Sequence, residues 1–311
     1  MKFTIFKTHD FVGFFINDMK TFFLTLFFCL LLLNTNKCHS QNNNTQATIY
    51  NVGLGSFFGG VGAVINKKPD EKFGKVFLKG VLQGSLGGYI TYQSKKMVYE
   101  FSNSGDFKDA WAAKLLNSAG NSIIHNAASN RNFWEQWNLN IGFNRIEFHT
   151  KDKFKVRYKL MPAAFMGTMI TATQGDFDIE TSLKIGQFVF RTDFIESTIL
   201  ENPNGKVSIN TMLLKYEYFD RIDEAKTIAH EIIHIFQYED FANINPFFIK
   251  PRQNFINNDN KWVKFYNKWV YTDFNSFIDA AIYSYENSTG TDYYDNYLEK
   301  EADFYSNRTT Q

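Results

Sequence analysis

His230, Glu231 and His234, in the run Ala229-His230-Glu231-Ile232-Ile233-His234-Ile235-Phe236, demand more of the fold than any other stretch of this chain. Residues four apart stack on one face of a helix, so both imidazoles can reach one ion only if a helix runs unbroken through them. Zinc takes about four tetrahedral ligands, and a catalytic site draws three from protein and keeps one position open. A third ligand must therefore arrive from elsewhere, and a core must hold the two elements together. Glu231, between the imidazoles, is placed to take a proton from an attacking water.

The flanks of the motif read as the helix it requires. Asp220, Asp223 and Glu224 precede it, where a helix N-terminus favours negative charge. Ala225, Ile228, Ile232 and Ile235 recur at steps of three and four and form an apolar stripe. No Gly or Pro falls between Asp223 and Asp240.

Near the C-terminus the chain reads Tyr297-Leu298-Glu299-Lys300-Glu301-Ala302-Asp303-Phe304. With the first motif, this segment resembles the gluzincin metallopeptidases, whose second motif is a helical Glu followed four residues later by Asp, often within Glu-x-x-Ala-Asp. About ten residues at the first motif and five at the second carry the likeness. It implies a zincin-like α+β fold, Zn2+ as cofactor, and Glu299 as the third ligand beside His230 and His234. It also implies Asp303 as the carboxylate that holds a ligating imidazole, and Glu231 as general base in peptide-bond hydrolysis. Glu301 competes for the ligand role, but it sits about 200 degrees around the helix from Glu299 and shares no face with Asp303. That facing favours Glu299 and leaves Glu301 as the substitute, with a solvated charged helix face as the plain alternative for the whole run. An oxyanion donor is also expected, and His125, His149, Tyr216, Tyr218 and Tyr238 are candidates that no spacing ranks.

At the front, Met19-Lys20 is followed by the apolar run Thr21 to Leu33 and a polar stretch ending Cys38-His39-Ser40-Gln41. Residues 1–40 read as a signal peptide cleaved before Gln41, with Met19 as an alternative start. Lys37 argues against lipid attachment at Cys38. Export to the periplasm, the outer envelope or the medium is the expectation. Cys29 and Cys38 both fall in this leader, so the exported chain offers no thiolate ligand or Cys nucleophile. A formal net charge of +1, with basic and acidic residues interspersed, argues against a nucleic-acid partner and leaves a peptide or protein substrate.

Three regions follow the leader: a glycine-rich helical region (41–135), an antiparallel β region (136–210) and a helical region carrying both motifs (211–311), expected to pack as one unit. In the first, Val52 to Ile65 and Val76 to Ile90 flank the charged turn Lys67-Lys68-Pro69-Asp70-Glu71-Lys72. Gly55, Gly59 and Ala63, and Gly80, Gly84 and Gly87, recur at helical steps that let two helices approach closely. Membrane association of residues 51–92 is the alternative, opposed by Lys75, Lys79 and the shortness of both stretches. In the second, strands are expected at Leu139 to Phe148, Phe154 to Met161, Thr168 to Thr173, Phe177 to Leu183 and Gln187 to Arg191. In the third, Phe274, Phe277, Ile278, Ala281, Ile282 and Tyr285 make a helical stripe, and 245–261 reads as a long loop. Two rivals to a hydrolase stand: a non-catalytic zinc-stabilised envelope protein or binding module, and a membrane-inserting module. Oligomeric state is left open.

Overall fold

The computed structural model describes residues 44–196, 203–216, 220–257, 259–276, 278, 281–282 and 296–307. The expectations for residues 1–40, with Met19, Cys29 and Cys38, and those for Tyr218, Phe277 and Tyr285 lie outside the described residues.

The glycine-rich region forms helices α1 (Asn44–Ile65) and α2 (Phe73–Ser104), followed by α3 (Phe107–Ala128). The glycines set the spacing: a Cβ on Gly55 would strike the Gly84 carbonyl, and one on Gly59 would strike that of Gly80. Gly87 and Gly120 bring α2 and α3 together in the same way. Gly105 ends α2 in the left-handed conformation (φ 62°), and the Asp106 side chain caps α3 by accepting from the Lys108 amide. One expectation is corrected here. α1 starts eight residues before Val52 and runs for 22 residues, so it has the length and apolarity to cross a membrane. Shortness therefore does not oppose insertion of α1; its packing on α2 and α3 does.

The β region departs further from its pattern. Leu139 to Phe148 is two strands, β1 (Gln136–Ile141) and β2 (Asn144–His149), because Gly142 adopts φ 55° and turns the chain. β3 (Lys155–Leu160) pairs antiparallel with β2 and completes a three-stranded sheet. Thr168 to Thr173 is not a strand but the end of α4 (Pro162–Ala172), which Pro162 starts at its first turn. Phe177 to Leu183 is mostly helix: two residues of β4 (Asp176–Phe177) pass into α5 (Ile179–Ile185), capped by Asp178. A first-turn proline in α4, and in α5 the Asp178 cap with a left-handed Gly186, outrank a weak alternation of apolar residues. β5 (Phe188–Thr192), β6 (Gly205–Ser208) and β7 (Thr211–Lys215) join β4 in a second sheet of order β4-β5-β7-β6, in which β5 and β7 run parallel. The expected boundary at 210/211 thus cuts the β6–β7 hairpin, and the last region opens with a strand.

α6 (Arg221–Phe241) carries the first motif and is the axis of the core. The Asp220 side chain accepts from the Ile222 and Asp223 amides at 2.7 and 2.9 Å and starts the helix. Ile228, Ile232, Ile235 and Phe236 pack against Val98 and Phe101 of α2, Ala113 of α3, and Met212 and Leu214 of β7. The other side meets Ala302 and Tyr305 of the last helix, α9 (Tyr297–Ser306). α9 is capped by Asn296, whose side chain accepts from the Leu298 amide. Between them, 245–261 is helical in pieces: a 3-10 turn (Ala242–Phe248), α7 (Gln253–Ile256) and the start of α8 (Lys261–Trp269). The described protein is mixed α+β, mostly helical.

Candidate metal centre

The middle of α6 turns His230 and His234 toward α9, and the first turn of α9 brings Glu299 to meet them. His234 Nε2 lies 3.1 Å from His230 Nε2, and Glu299 Oε2 lies 3.2 Å from His230 Nε2 and 3.5 Å from His234 Nε2. Among the described residues, these three form the one group of ligand-type side chains that could hold a metal ion. The separations bear on which ion fits. Donors about 2.0 Å from a tetrahedral zinc lie about 3.3 Å apart, which is the spacing found, and two imidazoles with one carboxylate are a zinc donor set. All three side chains are largely buried, so their polar atoms have little water to replace a ligand.

A second layer orients these donors. Asp303, one turn after Glu299, places Oδ1 3.0 Å from His230 Nδ1. His234 Nδ1 pairs with Gln237 Oε1 at 2.9 Å, so the amide oxygen accepts and Nε2 is left for the ion. Gln237 is itself fixed, donating to the Leu298 carbonyl and to Glu301 Oε2, each at 2.9 Å. Glu301 faces away from the histidines: its other oxygen meets Lys95 Nζ at 2.9 Å, and Lys95 reaches Asp240 at 2.8 Å. Two residues apart on α9, Glu299 and Glu301 therefore serve different clusters.

The electrostatics follow from this burial. Desolvation pulls both histidines down, but carboxylates outweigh it: Asp303 and Glu299 raise His230, and Glu299 pushes His234 up to about 10. Burial raises Glu299, yet the facing imidazoles hold it well below the usual carboxylate range. Protons on the imidazoles thus compete with any ion for the same lone pairs.

Glu231 is buried beside β6, where Gly205 lacks a side chain: a Cβ there would stand 2.5 Å from Glu231 Oε1. The strand backbone can lie flush with the carboxylate only because residue 205 is glycine. The oxyanion candidates within the described residues are engaged elsewhere. Tyr238 donates to Asp273 Oδ2 at 3.0 Å and Tyr216 to Asp176 Oδ2 at 3.2 Å. His149 lies 3.4 Å from Glu147, and buried His125 lines a separate small cavity with Arg145, Glu239 and Tyr271. Burial, reinforced by Arg145 and Arg131, holds His125 neutral, well below the usual histidine range.

Sequence reading passed over Gln237, Lys95 and Gly205. Gln237 had a signal, since it lies three residues after His234 on the same helix face. Lys95 had none, because its partners are more than a hundred residues away. Comparison with protein-family models, curated proteins and solved structures finds no match to this chain.

Proposed function

We propose that this protein is a zinc-dependent hydrolase of zincin-like design, cleaving peptide bonds. The observation that carries the reading is the convergence of His230, His234 and Glu299 from two helices at tetrahedral spacing, with Glu231 between the imidazoles. The site's place supports it: the motif helix packs against a sheet whose outer strand β6 lies beside Glu231, within reach of an extended chain pairing by main-chain hydrogen bonds. Zinc, when bound, supplies the Lewis acidity that polarises a carbonyl and acidifies water. His230, His234 and Glu299 hold it. Glu231 accepts the proton of the attacking water and returns it to the leaving nitrogen. Asp303 and Gln237 keep the two imidazoles in the tautomer that presents Nε2. The apolar run Thr21 to Leu33 supports export of such an enzyme.

One observation favours a second reading. Glu231 and Glu299 are only 4% and 3% exposed, as deep as the ligands of a structural zinc that holds an envelope protein together without catalysis. Zinc content and peptidase activity of Glu231→Gln separate the two. The hydrolase reading expects one zinc per chain, lost in His230→Ala and Glu299→Ala, and activity reduced by about 10²–10⁴ in Glu231→Gln with zinc retained. Zinc without any hydrolysis in the wild type would leave the structural reading. No zinc after gentle purification and repletion would end both.

A further inference from the structure

Among the described residues, α8 is unlike the other long helices. None of its nine residues is buried, yet three are large aromatics: Trp262, Phe265 and Trp269 are 71%, 58% and 40% exposed. Their spacing of three and four aligns them in one outward ridge. Lys261, Lys264 and Lys268 repeat the same spacing one residue earlier and flank the ridge along one side. Lys261 and Lys268 lie over the neighbouring indoles, 5.6 and 4.8 Å from the ring centroids, while their amino groups stay in water. Lys264 pairs with Asp259 at 2.9 Å, and both are well exposed.

The outward face is held by attachments on the other side. Asn260 caps the helix through the Trp262 amide, and Asn267 donates to the Phe255 and Ile256 carbonyls. Tyr266 stacks edge-on against Phe255 and hydrogen-bonds Thr272 at 2.8 Å. Val270 then pairs with Leu160, at the end of β3. A nine-residue helix is not stable alone. The fold fixes this one with its aromatics in solvent, where apolar area is costly unless something covers it.

We propose that α8 docks this protein on the surface of an anionic bilayer, with Trp262, Phe265 and Trp269 seated at the level of the lipid headgroups and the lysines on their phosphates. Tryptophan favours that interface, and a lysine-flanked aromatic face is the composition of interfacial helices. Charge points the same way: residues 250–269 hold five Lys or Arg and one Asp, although the whole chain nets only +1. Lys155 and Arg157 of the adjoining β3 are exposed as well. Size argues against a protein partner, because a helix about 13 Å long and 10 Å wide offers far less than the roughly 800 Å² per side of a stable interface. The proposal does not rest on the hydrolase reading.

The test is co-sedimentation of the full chain with phosphatidylcholine vesicles, with and without phosphatidylglycerol, alongside fluorescence quenching by brominated lipid. Wild type should bind the anionic vesicles, and its emission should be quenched. Trp262→Phe with Trp269→Phe should still bind but lose the quenching, since the other three tryptophans lie elsewhere. Reversal of Lys261, Lys264 and Lys268 to Glu should weaken binding by about a hundredfold or more. The variant with Trp262, Phe265 and Trp269 all replaced by Ala should bind at least about tenfold more weakly, with an unchanged circular dichroism spectrum. These side chains are exposed, so the fold does not depend on them. Unaltered binding of the alanine variant would put the contact on α1, α2 or the leader and overturn the proposal. So would absence of binding by the wild type, or capture by single-stranded DNA without vesicle binding.

Discussion

At the middle of α6, His230 and His234 turn ring nitrogens toward Glu299; two turns further on, Glu239 and Asp240 turn carboxylates toward the amino groups of Lys114 and Lys95. α9 repeats the division, giving Glu299 to the first cluster and Glu301 to the second. In the second cluster the cation is part of the chain. Lys95 is held charged, burial notwithstanding, by Asp240 and Glu301. In the first cluster the donors converge on each other at 3.1–3.5 Å, and among the described residues no Lys or Arg is seen to pair with them. One cluster is closed by the chain's own lysine, and the other is a group of donors that could hold a metal ion. Gln237 connects them, bonded to His234 on one side and Glu301 on the other. The lysine cluster thereby braces the frame of the candidate metal site.

The largest expected effect breaks the closed cluster. Lys95→Met leaves Asp240 and Glu301 buried without their cation and should cost about 3–5 kcal/mol, read as a drop in the denaturant midpoint. A near-neutral result would mean that the triad does not brace α9. A smaller effect is expected at Gly205→Ala, where the new methyl group pushes on Glu231 rather than on backbone. Hydrolysis should fall by up to about a hundredfold with zinc content and melting temperature kept, since a displacement near 1 Å suffices. Loss of zinc instead would place Gly205 in the metal frame.

Asp303→Asn removes the charge beside His230 Nδ1 without removing the hydrogen-bonding group. Zinc should bind about 10–100-fold more weakly by competition with a chelating dye, against little change in overall stability. A further effect is one of pH. His234 is lifted from 6.5 to about 10, so it stabilises the metal-free chain fully below pH 6.5, and that contribution is lost as pH rises through about 10. The melting temperature of the metal-stripped protein should therefore fall across this window, while zinc affinity rises as protons leave. A flat profile would show that His234 is not held by Glu299.

Much of the candidate site could be read locally. His230, Glu231 and His234 share one helix, and so do Glu299 and Asp303, so helical periodicity alone puts each set on a face. The glycine spacing likewise announces a close helix pair. The strands at Thr168 to Thr173 and Phe177 to Leu183 failed because alternation over six or seven residues is a weak signal. Pro162 starts the first helix from outside its window, and Asp178 caps the second from the second position of its own. The parallel pairing of β5 with β7 depends on a crossover that local pattern does not encode.

By itself, then, the sequence determined the elements whose information lies within a few residues: the motif helix with its Asp220 cap, the Glu299–Asp303 face, and the charged and aromatic spacing of α8. Only the tertiary structure decided what meets across the chain. It placed Glu299 on the histidines and Glu301 on Lys95, and it put Gly205 against Glu231. It also left the ridge of α8 in solvent. The reason is physical. Periodicity fixes the direction of a side chain around its own axis, while the partner it reaches depends on how elements far apart in sequence dock, and close packing of the common core sets that docking.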